Sequence, residues 1–252
     1  MSSASGSASS SASGGASSRA GGSAAKGARA RAREEVTLAI KDEARRQLAA
    51  EGAAKLSLRA VARELGMVSS ALYRYFPSRD DLLTALIIDA YDSLGAAAET
   101  AHAGVAGQQP VRRWTAVCEA VRTWALAHPH EYALIYGSPV PGYSAPPTTV
   151  RAAARVGQLL IDIVRDAHQG RGIAVQPLPA GMRTEGERLA ADLAPDLPPA
   201  AAAAMVAAWA QLFGLVGFEV FGQFNRVVED REVFFSYSVT QLAHGVGLLP
   251  QG

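Results

Sequence analysis

The sequence predicts an all-α chain of about nine helices, with an N-terminal helix-turn-helix domain of three helices and a larger C-terminal helical body. Three observations carry this expectation. Apolar residues recur at three- and four-residue spacing along most of the 252 residues. No segment alternates apolar and polar residues as a half-buried strand does. Prolines fall at the ends of the periodic segments rather than inside them.

The elements follow in order. Residues 1–28 are Ser, Ala and Gly with Arg19 and Lys26 and no acid. Such a stretch has little bulky apolar surface to offset its ordering entropy, so it is expected to be a disordered tail. Its cations, with Arg29, Arg31 and Arg33, suit a phosphate backbone or a minor groove. Next, residues 29–78 form the expected three-helix domain, and 79–252 the body. A first helix is expected from about Glu34 to Ala50, with Val36, Ile40 and Leu48 inward. Residues 56–79, LSLRAVARELGMVSSALYRYFPSR, then hold two short helices. Ser57 can cap the first, whose Leu58, Val61, Ala62 and Leu65 fall on one face. Gly66 ends it, since glycine tolerates a left-handed conformation. Ser69 or Ser70 can cap the second, in which Leu72 and Phe76 lie four apart, and Pro77 stops it. Two short helices joined by a glycine-bearing turn make a helix-turn-helix, whose second helix enters the major groove of double-stranded DNA. Small residues at its start (Ser69, Ser70, Ala71) let the backbone approach base edges. Tyr73, Arg74 and Tyr75 supply donors for phosphates and bases, and Arg79 adds a cation.

A fourth helix is expected from Ser78 to about His102, with Asp80 and Asp81 at its positive end. Pro110 opens a fifth, striped by Val111, Trp114, Val117, Cys118, Val121, Trp124, Ala125 and His128. Pro129 breaks it, and a short sixth helix covers His130 to Tyr136. The turn-rich GSPVPGYSAPP follows, and then a seventh helix from Thr148 to His168. Residues 169–199, rich in proline and glycine, are expected to be a mobile connection with one or two helical turns near Glu185–Leu193. The eighth helix runs from Pro199 to Arg226, and the ninth from Asp230 to Val246.

The segment LSLRAVARELGMVSSALYRYFPSRDDLLTALI resembles the DNA-binding domain of the tetracycline-repressor (TetR) family of bacterial regulators, over about residues 31–95. The resemblance implies base-facing positions for Ser69, Ser70 and Ala71, phosphate-clamping positions for Tyr73, Tyr75 and Arg79, and a DNA-reaching position for Arg59. The run from Trp124 to Gly137, with AWAQLFGLVGFEVFGQF in the eighth helix, resembles the ligand-binding half of a TetR subgroup named for tryptophan, histidine and glycine. Phe213 departs from that pattern, standing where a histidine is frequent. A small-molecule cavity is implied, with Trp114, Cys118, Trp124, His128, Tyr132, Tyr136, Met205 and Trp209 as candidate lining. The family also implies a homodimer built from the last two helices. The candidates for that surface are Leu212, Gly214, Leu215, Gly217, Phe218, Phe221, Tyr237 and Gln241. A twofold dimer reads a palindromic operator.

Composition narrows the classes. Residues 1–80 hold 13 Lys+Arg against 7 Asp+Glu, and residues 81–252 hold 11 against 16. A basic first third on an acidic remainder fits a DNA-binding head on a body with another task. The single cysteine, Cys118, excludes an internal disulfide. No metal set, cofactor motif, Ser-His-Asp spacing or phosphate-loop lysine stands out, so neither a cofactor nor an enzyme is expected. No apolar run of about eighteen residues is read, so no membrane span is expected, and a cytoplasmic location fits. The resulting expectation is a ligand-responsive repressor released from its operator by a small molecule. The alternative is a DNA-binding activator or architectural protein with no effector.

Overall fold

The computed structural model describes residues 17–249, with side chains described from Lys26 onward. Eleven α-helices make up the described chain, and no strand occurs in it. The head uses α1 (Ser17–Glu51), α2 (Leu58–Glu64) and α3 (Ser69–Leu72). Next come α4 (Arg79–Ala103), α5 (Pro110–Ala127), α6 (Pro129–Tyr136), α7 (Val150–Ala153) and α8 (Arg155–Gln169). The last three are α9 (Arg183–Leu193), α10 (Pro199–Val220) and α11 (Arg231–Gly245).

Two apolar cores hold the chain together. The first gathers Ile40, Ala44 and Leu48 of α1 with Leu58, Val61, Ala62, Leu72 and Phe76. The second gathers Trp114, Cys118, Val121, Tyr132, Leu160, Ile163, Met205, Leu212, Val239 and their neighbours. Helix α4 serves both, giving Leu82, Leu83 and Leu86 to the first and Ala90, Leu94 and Ala98 to the second. Its start is as expected: Ser78 accepts from the Asp81 amide at 3.1 Å, with Asp80 and Asp81 in the first turn.

Four expectations need correction. Helix α1 begins at Ser17 rather than near Glu34, so residues 17–28 continue a helix instead of a disordered tail. That stretch holds four alanines, the strongest helix former, against three glycines. The expectation for residues 1–16 lies outside the described residues. The seventh expected helix is divided at Ala154 into α7 and α8. The connection 169–199 contains three turns of real helix, α9, which lies against α10 and buries Gly186 and Ala190. Finally, α10 stops at Val220, where Gly222 takes φ +81° and Arg226 φ +65°.

Helix α10 is also long and apolar enough, by length and composition, to match a membrane span, which was not expected. In this fold its buried residues serve as body core against α5, α9 and α11. A charge confirms that packing. Glu219 is buried and accepts two hydrogen bonds from Arg122 of α5, each 2.7 Å, while the guanidinium lies 5.4 Å from the Phe235 ring of α11. The paired carboxylate holds the arginine's pKa above its already high ordinary value.

That pair pins three helices at one point, and a buried charge left alone is costly. Arg122→Ala is expected to lower unfolding stability by about 3 kcal/mol, and Arg122→Met with Glu219→Leu to regain most of it. Urea unfolding at fixed protein concentration reads both.

Candidate nucleic-acid interface and ligand cavity

The motif is built by local chemistry. The Ser57 hydroxyl accepts from the Ala60 amide at 3.4 Å and starts α2, which buries Leu58, Val61 and Ala62. Gly66 takes φ +64°, where an L side chain is strained. The chain then turns back, with the Met67 amide donating to Ala62 O at 2.8 Å. Ser69 and Ser70 do not cap α3 as expected. The cap position is Val68, extended and without a side-chain bond, and both serines lie inside the first helical turn. An extended apolar residue serves because the exposed amides of this turn meet solvent rather than protein. After Leu72 the helix tightens into turns: Tyr75 N donates to Leu72 O at 2.8 Å and Phe76 N to the same oxygen at 3.1 Å. Leu72 and Phe76 are buried, which aims the other residues outward.

Most of the candidate contact residues share that outer face. Arg59, Ser69, Ser70, Tyr73 and Arg74 are exposed, while Ala71 and Tyr75 are half-buried. Arg79 is different. Its guanidinium donates to the carbonyls of Leu56 (3.1 Å), Ala53 (2.8 Å) and Ala54 (3.1 Å). These carbonyls belong to a short 3-10 turn and its exit, and they need donors. Arg79 is therefore first a brace for the loop before α2, not a free phosphate clamp. Arg33 of α1, expected as a phosphate-seeking cation but not as a partner of the motif, joins the face. It donates to Arg74 O at 3.2 Å, and its guanidinium lies 5.0 Å from the Tyr75 ring. No local spacing could reveal a contact across 41 residues.

The body contains a cavity of about 910 Å³. Its walls come from α4 (Ile87, Tyr91), α6 and the loop after it (Leu134, Ile135, Val140, Tyr143, Ala145), α7 and α8 (Ala153, Ala154, Gly157, Gln158, Leu160), α9 and α10. Of the eight expected lining residues, only Met205 and Trp209 are present. The rest do other work. Trp114, Cys118 and Tyr132 are fully buried in the core, and burial pushes the Cys118 thiol far above its ordinary pKa. Tyr132 Oη donates to Phe213 O at 2.8 Å. Tyr136 stacks on Phe213 at 4.1 Å and meets Tyr91 edge-on. Trp124 Nε1 donates to Ser93 Oγ at 2.9 Å, and His128 stacks on the Trp124 ring. Trp124 and His128 do border a second, shallower cleft between α4 and α5. Aromatics at helical spacing marked the packed seam of the body instead of its hollow. The residues missed are mostly aliphatic, with Tyr91 and Tyr143 among them.

The outer faces of α10 and α11 carry much exposed apolar surface. Trp209, Phe218, Phe221, Val233, Phe234 and Tyr237 are each more than a third exposed. Gly214 and Gln241 are exposed, and Leu215 and Gly217 half-buried. Leu212 is the exception among the expected interface residues: it is fully buried in the body core, on the opposite side of α10.

Comparison with known proteins agrees with this geometry. A family model described as bacterial regulatory proteins, tetR family, matches residues 40–86. One described as tetracyclin repressor-like, C-terminal domain, matches residues 114–242. HTH-type transcriptional regulators of Mycobacterium tuberculosis and Mycobacterium bovis are each 40% identical over 200 residues, spanning 77% of this chain and 84% of theirs. The chain belongs to the TetR family. The crystal structure of a further regulatory protein matches with TM-score 0.72 and 33% identity, over 85% of this chain and 98% of that one. A protein from Rhodococcus sp. RHA1 shares the fold at TM-score 0.64 and 24% identity, over 84% and 95% of the two chains.

This TetR-family chain is thus a DNA-binding transcriptional regulator and not an enzyme. Its motif depends on one backbone conformation and one brace. A Cβ at Gly66 meets nothing within 4 Å, so Gly66→Ala carries the backbone penalty alone, about 1–2 kcal/mol. Arg79→Ala is expected to lower the melting temperature by stripping three carbonyls of their donor, whereas Arg59→Ala, on an exposed face, leaves it unchanged. Calorimetry of the three variants checks both statements.

Proposed function

We propose that this protein is a homodimeric repressor that leaves a palindromic operator when an uncharged, lipophilic small molecule fills the body cavity. One observation carries the reading: cavity and DNA head share a wall. Leu134, Val140 and Tyr143 line the cavity and also pack against the head core. Tyr143 Oη shares a 2.9 Å hydrogen bond with Thr84 Oγ1 of α4, the helix common to both cores. A ligand that displaces this wall shifts the seat of the head. It does so only as far as it binds the displaced state more tightly.

The lining supports the ligand class. It contains no Lys, Arg or His. Its one carboxylate, Asp192, is taken by Arg188 at 2.8 Å. An anionic ligand would enter without a countercharge, which is costly. The apolar outer faces of α10 and α11 support a twofold dimer, and such a dimer sets two α3 helices about 34–36 Å apart, one turn of DNA. Base contacts are assigned to Ser69, Ser70 and Ala71, and phosphate contacts to Arg59, Tyr73 and Arg74.

Three outcomes test this. Tyr73→Phe and Arg59→Ala are expected to weaken binding to every DNA sequence alike, and Arg59→Ala to reduce the salt slope of log K by about 0.9 per protomer. Ser70→Ala is expected to change sequence preference instead. Ala153→Trp fills the cavity from the wall away from the head. It should abolish binding of the neutral dye Nile red, read by its fluorescence and by Trp209 quenching, while leaving DNA affinity intact. DNA affinity that stays the same when the wild-type cavity is saturated would sink the release mechanism and leave a regulator without an effector.

A further inference from the structure

The N-terminal part of α1 has no role in either core. The direction in which it leaves the head is fixed by its contacts. Near its C-terminal end, Arg45 donates to Asp89 of α4 at 2.7 Å and to Glu131 of α6 at 3.2 Å, so this end faces the body. Twelve residues earlier, about 18 Å along the axis, Arg33 is bonded to Arg74 O and stacked on Tyr75 at the outer face of the motif. The axis therefore runs from the body to the DNA side of the head. Its continuation from Arg33 back to Lys26 projects about 10 Å further in that direction.

The projecting segment is cationic. The first acid in the chain is Glu34, and Lys26, Arg29, Arg31 and Arg33 precede it. All four are exposed, and none has a carboxylate partner among the described residues. Helical spacing sorts them. Lys26, Arg29 and Arg33 stand at i, i+3 and i+7, on one face. Arg31 lies nearly opposite and turns back over Gly27, where its Nη1 would be 3.9 Å from an added Cβ. The anchored Arg33 thus fixes the rotation of the helix and places Lys26 and Arg29 on the side of the motif's outer face.

We propose that Lys26 and Arg29 form a second DNA contact, a rigid helical arm that grips phosphates flanking the groove occupied by α3. The inference rests on the DNA-binding role of the head and extends the interface beyond the helix-turn-helix. The arm adds affinity without sequence preference, because phosphates carry none. It also lengthens the DNA that each protomer covers. Arg33 belongs to both parts: it ties the arm to the recognition segment, so the two move as one body.

The test uses the full-length protein and fluorescein-labelled random-sequence duplexes of 20 and 40 base pairs, titrated across salt. Lys26→Ala with Arg29→Ala is expected to reduce the salt slope by about 1.8 per bound protomer, since each neutralised phosphate contributes about 0.9. Arg31→Ala, which removes a charge from the opposite side, is expected to reduce it far less. The wild type should prefer the 40-base-pair duplex beyond the statistical gain in sites, and the double variant should not. Equal reductions per charge at Arg31 and at the Lys26 face would overturn the oriented arm, leaving diffuse cationic attraction. An unchanged slope at all three positions would overturn the arm altogether. The head variant Arg59→Ala separates this from the parent reading: if it weakens binding while the arm variants do not, the head binds DNA and the arm is idle. Failure of the wild type to bind either duplex at low salt would remove both readings together.

Discussion

Helix α4 cannot move in one core without moving in the other. Leu82, Leu83 and Leu86 are locked among head residues, and Ala90, Leu94 and Ala98 among body residues, with one continuous helix between. Close-packed interiors resist small shifts, so strain put on one end of a stiff helix is felt at the other. Every other link between the two parts supplements this one. Lys41 and Arg45 share Asp89 of α4, and Arg45 adds Glu131 of α6. Polar links at a joint tolerate rearrangement better than interlocked apolar side chains, since water can stand in for a departed partner at the surface.

A second arginine shows how the body grips the same helix. Arg155, at the start of α8, reaches Glu99 at 2.7 Å and Asp92 at 2.8 Å on α4. Its chain lies directly over Gly95, where an added Cβ would come within 2.7 Å of Nε. Glu99 first, and then Asp92, raise the arginine's pKa further, and the hydrogen bond from Arg155 holds the Glu99 carboxyl below the usual carboxylate range. The break between α7 and α8 at Ala154 sits immediately before this clamp. The cavity wall is thereby divided into a short helix and a long one, the long one fastened to α4.

The fold and the motif were legible because their signals are local. Ser57, Gly66, Leu72, Phe76 and Ser78 each act on neighbours within a few residues, and the structure uses each as the spacing implied. The misread residues depend on distant partners. Arg79 has the right charge for a phosphate, but three carbonyls more than twenty residues earlier claim it. Arg33 was legible as a cation suited to phosphate, but not its seat on Tyr75 and Arg74, some forty residues away. The cavity was the least legible part. Its lining is drawn from six α-helices and a loop, mostly small and aliphatic residues that carry no distinctive pattern. Large aromatics are conspicuous in a sequence for the same reason that they fill space in a core: Trp114 and Tyr132 leave no hollow around them.

The cavity wall has two halves with different duties. Leu134, Val140 and Tyr143 touch the head core, whereas Ala153, Gly157, Leu189 and Met205 line the hollow without touching it. On the proposed release mechanism, substitutions in the second half alter which shapes fit, while the mechanical connection stays as it was. Those in the first half then alter how strongly occupancy is felt, whatever the occupant. Recognition and gain become separable traits under that mechanism. A lineage, or an engineer building a sensor, would then be free to change the compound detected without relearning how to let go of DNA.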